Sequence, residues 1–303
     1  MHDWAEFRHF RYLLTILEKG GFRLAAEQLH TSQPNLTVQA RQFQDYASVH
    51  LYRRLKDGRI QPTEAGLAFI SLARFLLEAR DDAIDALTAI ARGEIESIRL
   101  GCNPLVDPGV FHALCAMLKD FLPDCTIWPM HGDAVQLTEA LLCGDVDAAL
   151  VPLPLQHPNL HVEELRQDRL VACLRRDHPL AEKAVLPVSD LQNNLAVFYQ
   201  PQCHPAAHVR LMEMLGDAGV EIGKFSSASH PAEMQTLVKE GYGLALIREG
   251  TSLDKELTTR RIFGVDWTVG TAIAFHRQRR PKIVPFLVRK LQKQMQQSAK
   301  TSQ

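Results

Sequence analysis

Between Gly21 and Gly66 the chain carries two short helical patterns separated by a tight turn, and that arrangement limits what the segment can become. Leu24, Ala25 and Leu29 predict an apolar stripe on the first helix. Ser32 supplies an N-cap for the second, and Pro34 falls in its first turn, where a missing N–H leaves no bond unmade. Ala25 and Ala26 are small where two crossing helices would approach closely. This is the pattern of a helix-turn-helix, whose second helix can enter a DNA major groove.

The residues that follow extend the pattern. Leu51-Tyr52-Arg53-Arg54 leads through Lys56-Asp57-Gly58-Arg59 to Ile60-Gln61-Pro62, which predicts a small hairpin with cations around its turn. Thr63 is placed to cap a long helix that opens at Glu64-Ala65-Gly66. Taken together, Ala25-Ala26, Leu29, Ser32-Gln33-Pro34, Leu36-Thr37, Leu51-Tyr52 with Arg54, and Thr63 with Ala65-Gly66 resemble the LysR-type transcriptional regulator family. The length of 303 residues suits that family as well. The resemblance implies a winged helix-turn-helix head, a linker helix that pairs with that of a second subunit, and an effector-binding domain. Its partners would be double-stranded promoter DNA, a small-molecule effector, further copies of the chain as a dimer of dimers, and RNA polymerase.

Phe7, Phe10, Leu13, Leu14 and Leu17 recur at helical spacing ahead of the motif, and Gly20-Gly21 ends that scaffold helix. At the start of the second motif helix, Gln33 and Asn35 can pair with adenine edges, Thr37 with phosphate or a base, and Pro34 with a thymine methyl. The resemblance puts base reading on Gln33, Pro34, Thr37 and Val38, with Arg54 and Arg53 gripping the backbone or minor groove from the wing. Many relatives carry an arginine at the place of Val38, and Leu-Glu and a glycine at the places of Phe43-Gln44 and Ser48. With Arg23, Ser32, Arg41 and Arg59 added, these residues form the candidate DNA-binding set.

The net charge of −1 gives no global sign of a nucleic-acid partner, so the local excess of cations from Arg23 to Arg59 must carry it. So few cations on one small module predict weak, salt-sensitive binding, which makes oligomerisation necessary. From Glu64 to Arg92 there is no proline and no glycine after Gly66, which predicts one long helix. Phe69, Leu72, Leu76, Ala79, Ala83, Ala86 and Ile90 alternate steps of three and four, a coiled-coil stripe.

Beyond Gly93, short β-rich runs alternate with amphipathic helices. Strands are expected at Ile98–Cys102, Cys125–Met130, Asp145–Val151, Leu170–Leu174, Leu195–Tyr199, Ile222–Phe225, Leu244–Ile247 and Thr268–Phe275. Helices are expected at Val110–Phe121, Val135–Cys143, Ala206–Gly216, Ala232–Glu240 and Ile283–Met295. The fold class is α/β with an all-α head: a winged helix-turn-helix at 1–63, a linker helix at 64–93, and Rossmann-like subdomains at 94–303 paired as in type 2 periplasmic binding proteins. Lobe I takes 94–166 and 269–303, and lobe II takes 167–268. A terminal basic run of Arg277, Arg279, Arg280, Lys282, Arg289, Lys290, Lys293 and Lys300 reads as the solvated face of an amphipathic helix.

Ligands of such sheets bind at the carboxyl ends of strands. Lobe I then offers Asn103, Pro104, Leu105 and His131, and lobe II offers Tyr199, Gln200, Cys203, His204, Ser229 and His230. Relatives often have Ser or Thr near Leu105 to hold an effector carboxylate, whereas this chain has Asp107-Pro108. An aspartate capping that helix predicts an effector that is neutral, cationic or anchored from lobe II by Gln200, His204 and His230.

Other readings of the same residues stand beside this one. Cys203 lies near the place of the reactive thiol in peroxide-sensing relatives, with Met212 where a partner cysteine would be expected. Cys203, His204, His208 and His230 can be read as a zinc set, although Pro205 interrupts the first pair and no metal is assigned. The cysteines at 102, 115, 125, 143, 173 and 203 form no Cys-x-x-Cys pair and suit a reducing compartment. No Gly-x-Ser-x-Gly elbow, P-loop, His-Glu-x-x-His or dinucleotide loop is present, so no catalytic residue and no cofactor is expected. A start without a signal pattern and no long apolar run predict a cytoplasmic protein without a membrane partner. The alternative function is a cytoplasmic small-molecule or thiol-redox sensor that does not act on DNA.

Overall fold

Helix α1 (Phe7–Lys19) turns Leu13, Leu14, Ile16 and Leu17 inward and stops at Gly20, whose φ of 64° is the left-handed conformation that glycine adopts without a Cβ clash. The computed structural model describes residues 2–56 and 58–301, the side chains of 296–301 excepted, so Asp57 of the wing turn and the Lys300 side chain lie outside the described residues. Its contacts divide the chain into two units, Met1–Thr88 and Ala89–Gln303.

In the first unit α2 (Phe22–Gln28) and α3 (Gln33–Ala47) follow α1. The Ser32 hydroxyl accepts the Asn35 N–H at 3.3 Å, as an N-cap should. The stripe expected on α2 differs in one member. Leu24 is 45% exposed, and the buried face is Phe22, Ala25 and Ala26, because positions at steps of three and four share a face and Leu24 falls outside that series. Strands β1 (Tyr52–Arg54) and β2 (Ile60–Pro62) form the antiparallel wing.

Helix α4 (Glu64–Ala91) is uninterrupted, and its first turns belong to the head. The Thr63 hydroxyl accepts the Gly66 N–H at 3.1 Å and donates to the His50 carbonyl at 2.6 Å. Phe69 stacks on Phe10 with ring centroids 5.7 Å apart, and Phe43 meets both edge-on. Such ring pairs add roughly 0.5–1.5 kcal/mol each beyond their buried area. The single stripe expected along this helix therefore divides. Of its members Phe69 is consumed by the head core and Ala86 is buried, while Leu72, Leu76 and Ile90 are exposed, as are Ile84 and Leu87 beside the stripe.

The second unit begins with β3 (Ser97–Cys102), α5 (Pro108–Phe121), β4 (Thr126–His131), α6 (Ala134–Cys143) and β5 (Ala148–Pro152), its strands parallel in the order β4-β3-β5. Then come β6 (Leu160–Arg175), β7 (Val185–Pro187), β8 (Leu195–Tyr199), α7 (Pro205–Asp217), β9 (Ser226–Ala228), α8 (Pro231–Lys239) and β10 (Leu244–Arg248). Last are β11 (Leu257–Phe263), β12 (Thr268–His276) and α9 (Val284–Thr301). The strand path is β4-β3-β5-β12-β6-β10-β8-β9, with β11 joining β6 to β7.

Strand β6 spans 16 residues and joins the two lobes, where a strand was expected only from Leu170. Leu160 to Arg169 pairs antiparallel with β12, and Leu170 to Arg175 pairs with β10 and β11. The earlier half is rich in charge because Glu163, Glu164, Arg166 and Asp168 lie along it, which masks its strand pattern. The strand expected at Ile222–Phe225 is also displaced. Ser226–Ala228 pairs with Val197–Tyr199, while Ile222 packs on the lobe II core from an irregular stretch. The third strand of lobe I starts at Ala148, because Asp147 turns its carboxylate onto the Arg99 N–H at 2.8 Å.

In the terminal basic run, Arg277 bonds the Pro158 carbonyl, Arg279 that of Leu142, and Lys290 sits over the Phe121 ring. No helix among the described residues is long and apolar enough to cross a membrane.

The closest steric constraint in the head is at Gly66, where an added Cβ would lie 2.0 Å from the Leu51 carbonyl oxygen. Gly66→Ala must move backbone, and the head should lose about 2–4 kcal/mol in denaturant unfolding. Gly21→Ala, with nothing within 4 Å of the new carbon, should cost less than about 1 kcal/mol.

Candidate functional site

The first candidate surface is the start of α3. Leu36, Ala40 and Phe43 face the core, so helical geometry turns Pro34, Asn35 and Val38 to solvent, and Gln33 is exposed because it opens the helix ahead of the buried residues. Val38 is 51% exposed, an apolar side chain on the solvent face of the helix. The Asn35 amide donates to the Thr31 hydroxyl at 3.1 Å, which orders it ahead of any ligand. Thr37 is half-buried and its hydroxyl bonds the Gln33 carbonyl at 2.9 Å. Ser32 is committed to capping.

The cations of this surface differ in how free they are to meet phosphate. Arg23 pairs with Glu27 at 3.0 Å and Arg41 with Asp45 at 3.6 Å, both exposed one-turn pairs of about 0.3–0.5 kcal/mol that a phosphate can displace. On the wing, Tyr52 and Arg54 lie on one face and Arg53 on the other. Phe22 takes the Tyr52 ring edge-on at 5.7 Å and the Arg54 guanidinium at 5.1 Å, so a cation–π contact holds Arg54 beside α2. Arg53 and Arg59 are exposed.

The second candidate is a cavity of about 550 Å³ between the lobes of the second unit, at the carboxyl ends of β3, β4, β5 and β10. Of the residues expected there, Asn103, Pro104, Leu105, His131, Tyr199, His204 and His230 line it. Asn103 is fully buried and holds the loops in place, its amide donating to the Gly132 carbonyl and accepting the Leu105 N–H. The His230 ring accepts the Ala232 N–H at 3.2 Å and so caps α8.

Gln200, Cys203 and Ser229 are not among the lining residues. Ser229 spends its hydroxyl and N–H on Glu233. The Cys203 thiol lies 3.5 Å from the Gln200 side-chain oxygen. Burial, and then a hydrogen bond with Asp133, push that thiol up, which disfavours the thiolate a redox sensor needs. Among the described residues, no group of three or more His, Cys, Asp and Glu is placed to hold a metal ion.

The lining contains no carboxylate, and its charged residues are Arg210 and Arg248. A cationic effector would find no counter-charge, so that part of the expectation from Asp107 is corrected. Asp107 does cap α5, accepting the Gly109 N–H at 2.9 Å, but its other oxygen meets Arg166 at 3.1 Å and Arg248 at 3.4 Å. Arg248 was not anticipated from the sequence. Its signal is an arginine directly after the buried run Leu244-Ala245-Leu246-Ile247, at the carboxyl end of a strand. The lobes also touch through the backbone, the Ala134 N–H donating to the Cys203 carbonyl at 3.2 Å.

Residues 91–296 match the family described as LysR substrate binding domain, and residues 7–67 match that described as bacterial regulatory helix-turn-helix protein, lysR family. The chain is 28% identical over 247 residues to the HTH-type transcriptional regulator BudR of Raoultella terrigena, covering 80% of this chain and 84% of the relative. It is 23% identical over 288 residues to the regulator AlsR of Bacillus subtilis, covering 93% and 94%. The fold is similar to full-length CbnR in complex with its target DNA, with a TM-score of 0.57 at 22% identity over 95% of this chain and 100% of that chain.

His204 is only 3% exposed and its Nδ1 has no partner, and burial lowers its pKa from 6.5 despite the nearby Asp133. The folded chain thus binds this proton more weakly than the unfolded chain. Stability present above about pH 6.5 is lost as pH falls through the lower folded value. His204→Gln should flatten the fall in melting temperature below pH 6.5, as read by calorimetry across that range.

Proposed function

Because this chain belongs to the LysR family of bacterial helix-turn-helix regulators, we propose that it is a sequence-specific DNA-binding transcriptional regulator whose grip on promoter DNA is modulated by a small molecule held between its lobes. The observation that carries this reading is the division of α3. One face is locked in the head core by Leu36, Ala40 and Phe43, the opposite face presents Pro34 and Val38 to solvent, and Gln33 is exposed at the very start of the helix.

In this reading 1–63 is the DNA-binding domain, 64–93 the dimerisation helix and 94–303 the effector-binding domain. Leu72, Leu76, Ile84 and Leu87, exposed on α4, support pairing with a second copy, and a dimer of dimers would place paired heads along a promoter. Each head has few cations, so two or more heads are needed for useful affinity at physiological salt. The effector acts by binding one lobe arrangement better than another, since equal affinity for both would shift nothing. The protein works in the cytoplasm, where RNA polymerase meets the same promoter, and it needs no cofactor. The raised pKa of Cys203 and the exposed reading face both favour this function over a thiol sensor without DNA.

Footprinting on the promoter beside its own gene should protect paired half-sites about one helical turn, or a multiple, apart. Gln33→Ala should relax base preference at one position of each half-site by about 1–3 kcal/mol, measured as the ratio of affinities for matched and substituted sites. Arg53→Ala should weaken binding to all sequences alike and reduce the salt slope by about one per head. Unchanged affinity and preference in the Gln33 variant would remove α3 as the reading element.

A further inference from the structure

Four charged side chains meet where the lobes join, and they are not equally satisfied. On β6, Arg166, Asp168 and Leu170 fall on one face of the strand. Arg166, at the end of lobe I, bonds Asp107 at 3.1 Å and pairs closely with Asp168. Arg248, at the end of β10 in lobe II, reaches the same Asp107 oxygen from 3.4 Å, and its other bond runs from the same Nη1 to the Glu249 carbonyl. Asp107 thus has one partner on its own lobe and one on the other.

Two atoms of this group are left over. The Arg248 Nε is buried with no partner, and so is the Asp168 Oδ2, on side chains that are each 10% exposed. One is a cationic donor and the other an anionic acceptor, and each costs free energy while unmatched. The sheet brings their residues close. Strand β10 pairs with β6 so that Arg248 stands opposite Leu170, and the Glu249 N–H bonds the Arg169 carbonyl at 2.8 Å. Asp168 lies two residues along from Leu170 on the same face, which makes it a diagonal neighbour of Arg248, within reach of a long side chain.

We propose that Arg248 is a two-position switch that exchanges carboxylates: on Asp107 it ties lobe II to lobe I, and on Asp168 it forms a pair within lobe II and releases the tie. The exchange is balanced. In the tied arrangement Asp107 serves two arginines and Asp168 one. In the released arrangement Asp107 keeps Arg166, and Asp168 takes Arg248 on its spare oxygen. Neither position orphans a carboxylate or a guanidinium, so the large penalty of breaking a buried pair is avoided. Two packings close in free energy are what a bistable element requires. The exchange belongs to the second unit alone, and its use in controlling promoter DNA rests on the regulatory reading above.

Ala134 supplies the readout. It opens α6, where an N–H has no partner inside the helix, and it donates instead to the Cys203 carbonyl of lobe II at 3.2 Å. Deuterium exchange at this amide, followed by mass spectrometry on the full chain without added ligand, therefore reports separation of the lobes. Asp107→Asn should speed it about tenfold, because Arg248 moves to Asp168. Asp168→Asn removes the second position and should slow it about threefold. Arg248→Gln should speed exchange, and adding Asp168→Asn to that variant should change nothing further. A fixed tie gives a different sign, since Asp168→Asn would then leave exchange unchanged or speed it by loosening Arg166. Either result, or an Asp168→Asn effect that survives in the Arg248→Gln background, overturns the switch. Should Asp168→Asn fail to fold, a crystal structure of Asp107→Asn decides: Arg248 at hydrogen-bond distance from Asp168 supports the exchange, and its guanidinium anywhere else overturns it. Promoter footprinting with the same preparations tests the regulatory reading separately.

Discussion

The second unit depends on one antiparallel ladder, Leu160 to Arg169 against Thr268 to His276. Both strands leave lobe I at the same place, and β6 continues into lobe II without a break. The ladder ties the two strands to each other through the N–H and C=O groups of alternate residues, so it resists stretching and shear while its two strands still allow bending. The cavity lies beside this connection. The two lobes are also tied beside it by the Asp107–Arg248 ion pair and the Ala134 N–H to Cys203 carbonyl bond.

The head was legible because its signals are local. Ser32 and Pro34 fix a helix start, Gly20 fixes a helix end, and the wing follows from two short runs around Gly58. The strand ends that point at the cavity were legible for the same reason, since β3, β8 and β10 are short apolar runs bounded by turns. Where the reading of residues missed, long-range structure had overruled local pattern. Leu160 to Arg169 is charged, and only its pairing with β12 makes it a strand. Phe69 fits a coiled-coil stripe in sequence, and only the rings of Phe10 and Phe43 reveal it as core.

The site residues show the same division. His204 and Tyr199 follow from their place at a strand end, but sequence cannot show that the His204 ring would be buried without a partner. Asp107 was read correctly as a helix cap, and that local reading hid its second role. Arg166 and Arg248 reach it from 59 and 141 residues away in the chain, a juxtaposition that no spacing rule predicts. A capped helix end that is also neutralised by two guanidinium groups no longer repels an anion as a bare aspartate would.

The burial of Phe69 among the head's rings makes the first turns of α4 one solid piece with α3. At 1.5 Å per residue, the stretch from Phe69 to Ala91 is a lever of about 33 Å. A tilt of about 5° at its far end would swing the reading face by about 3 Å, close to the rise of one base pair along duplex DNA.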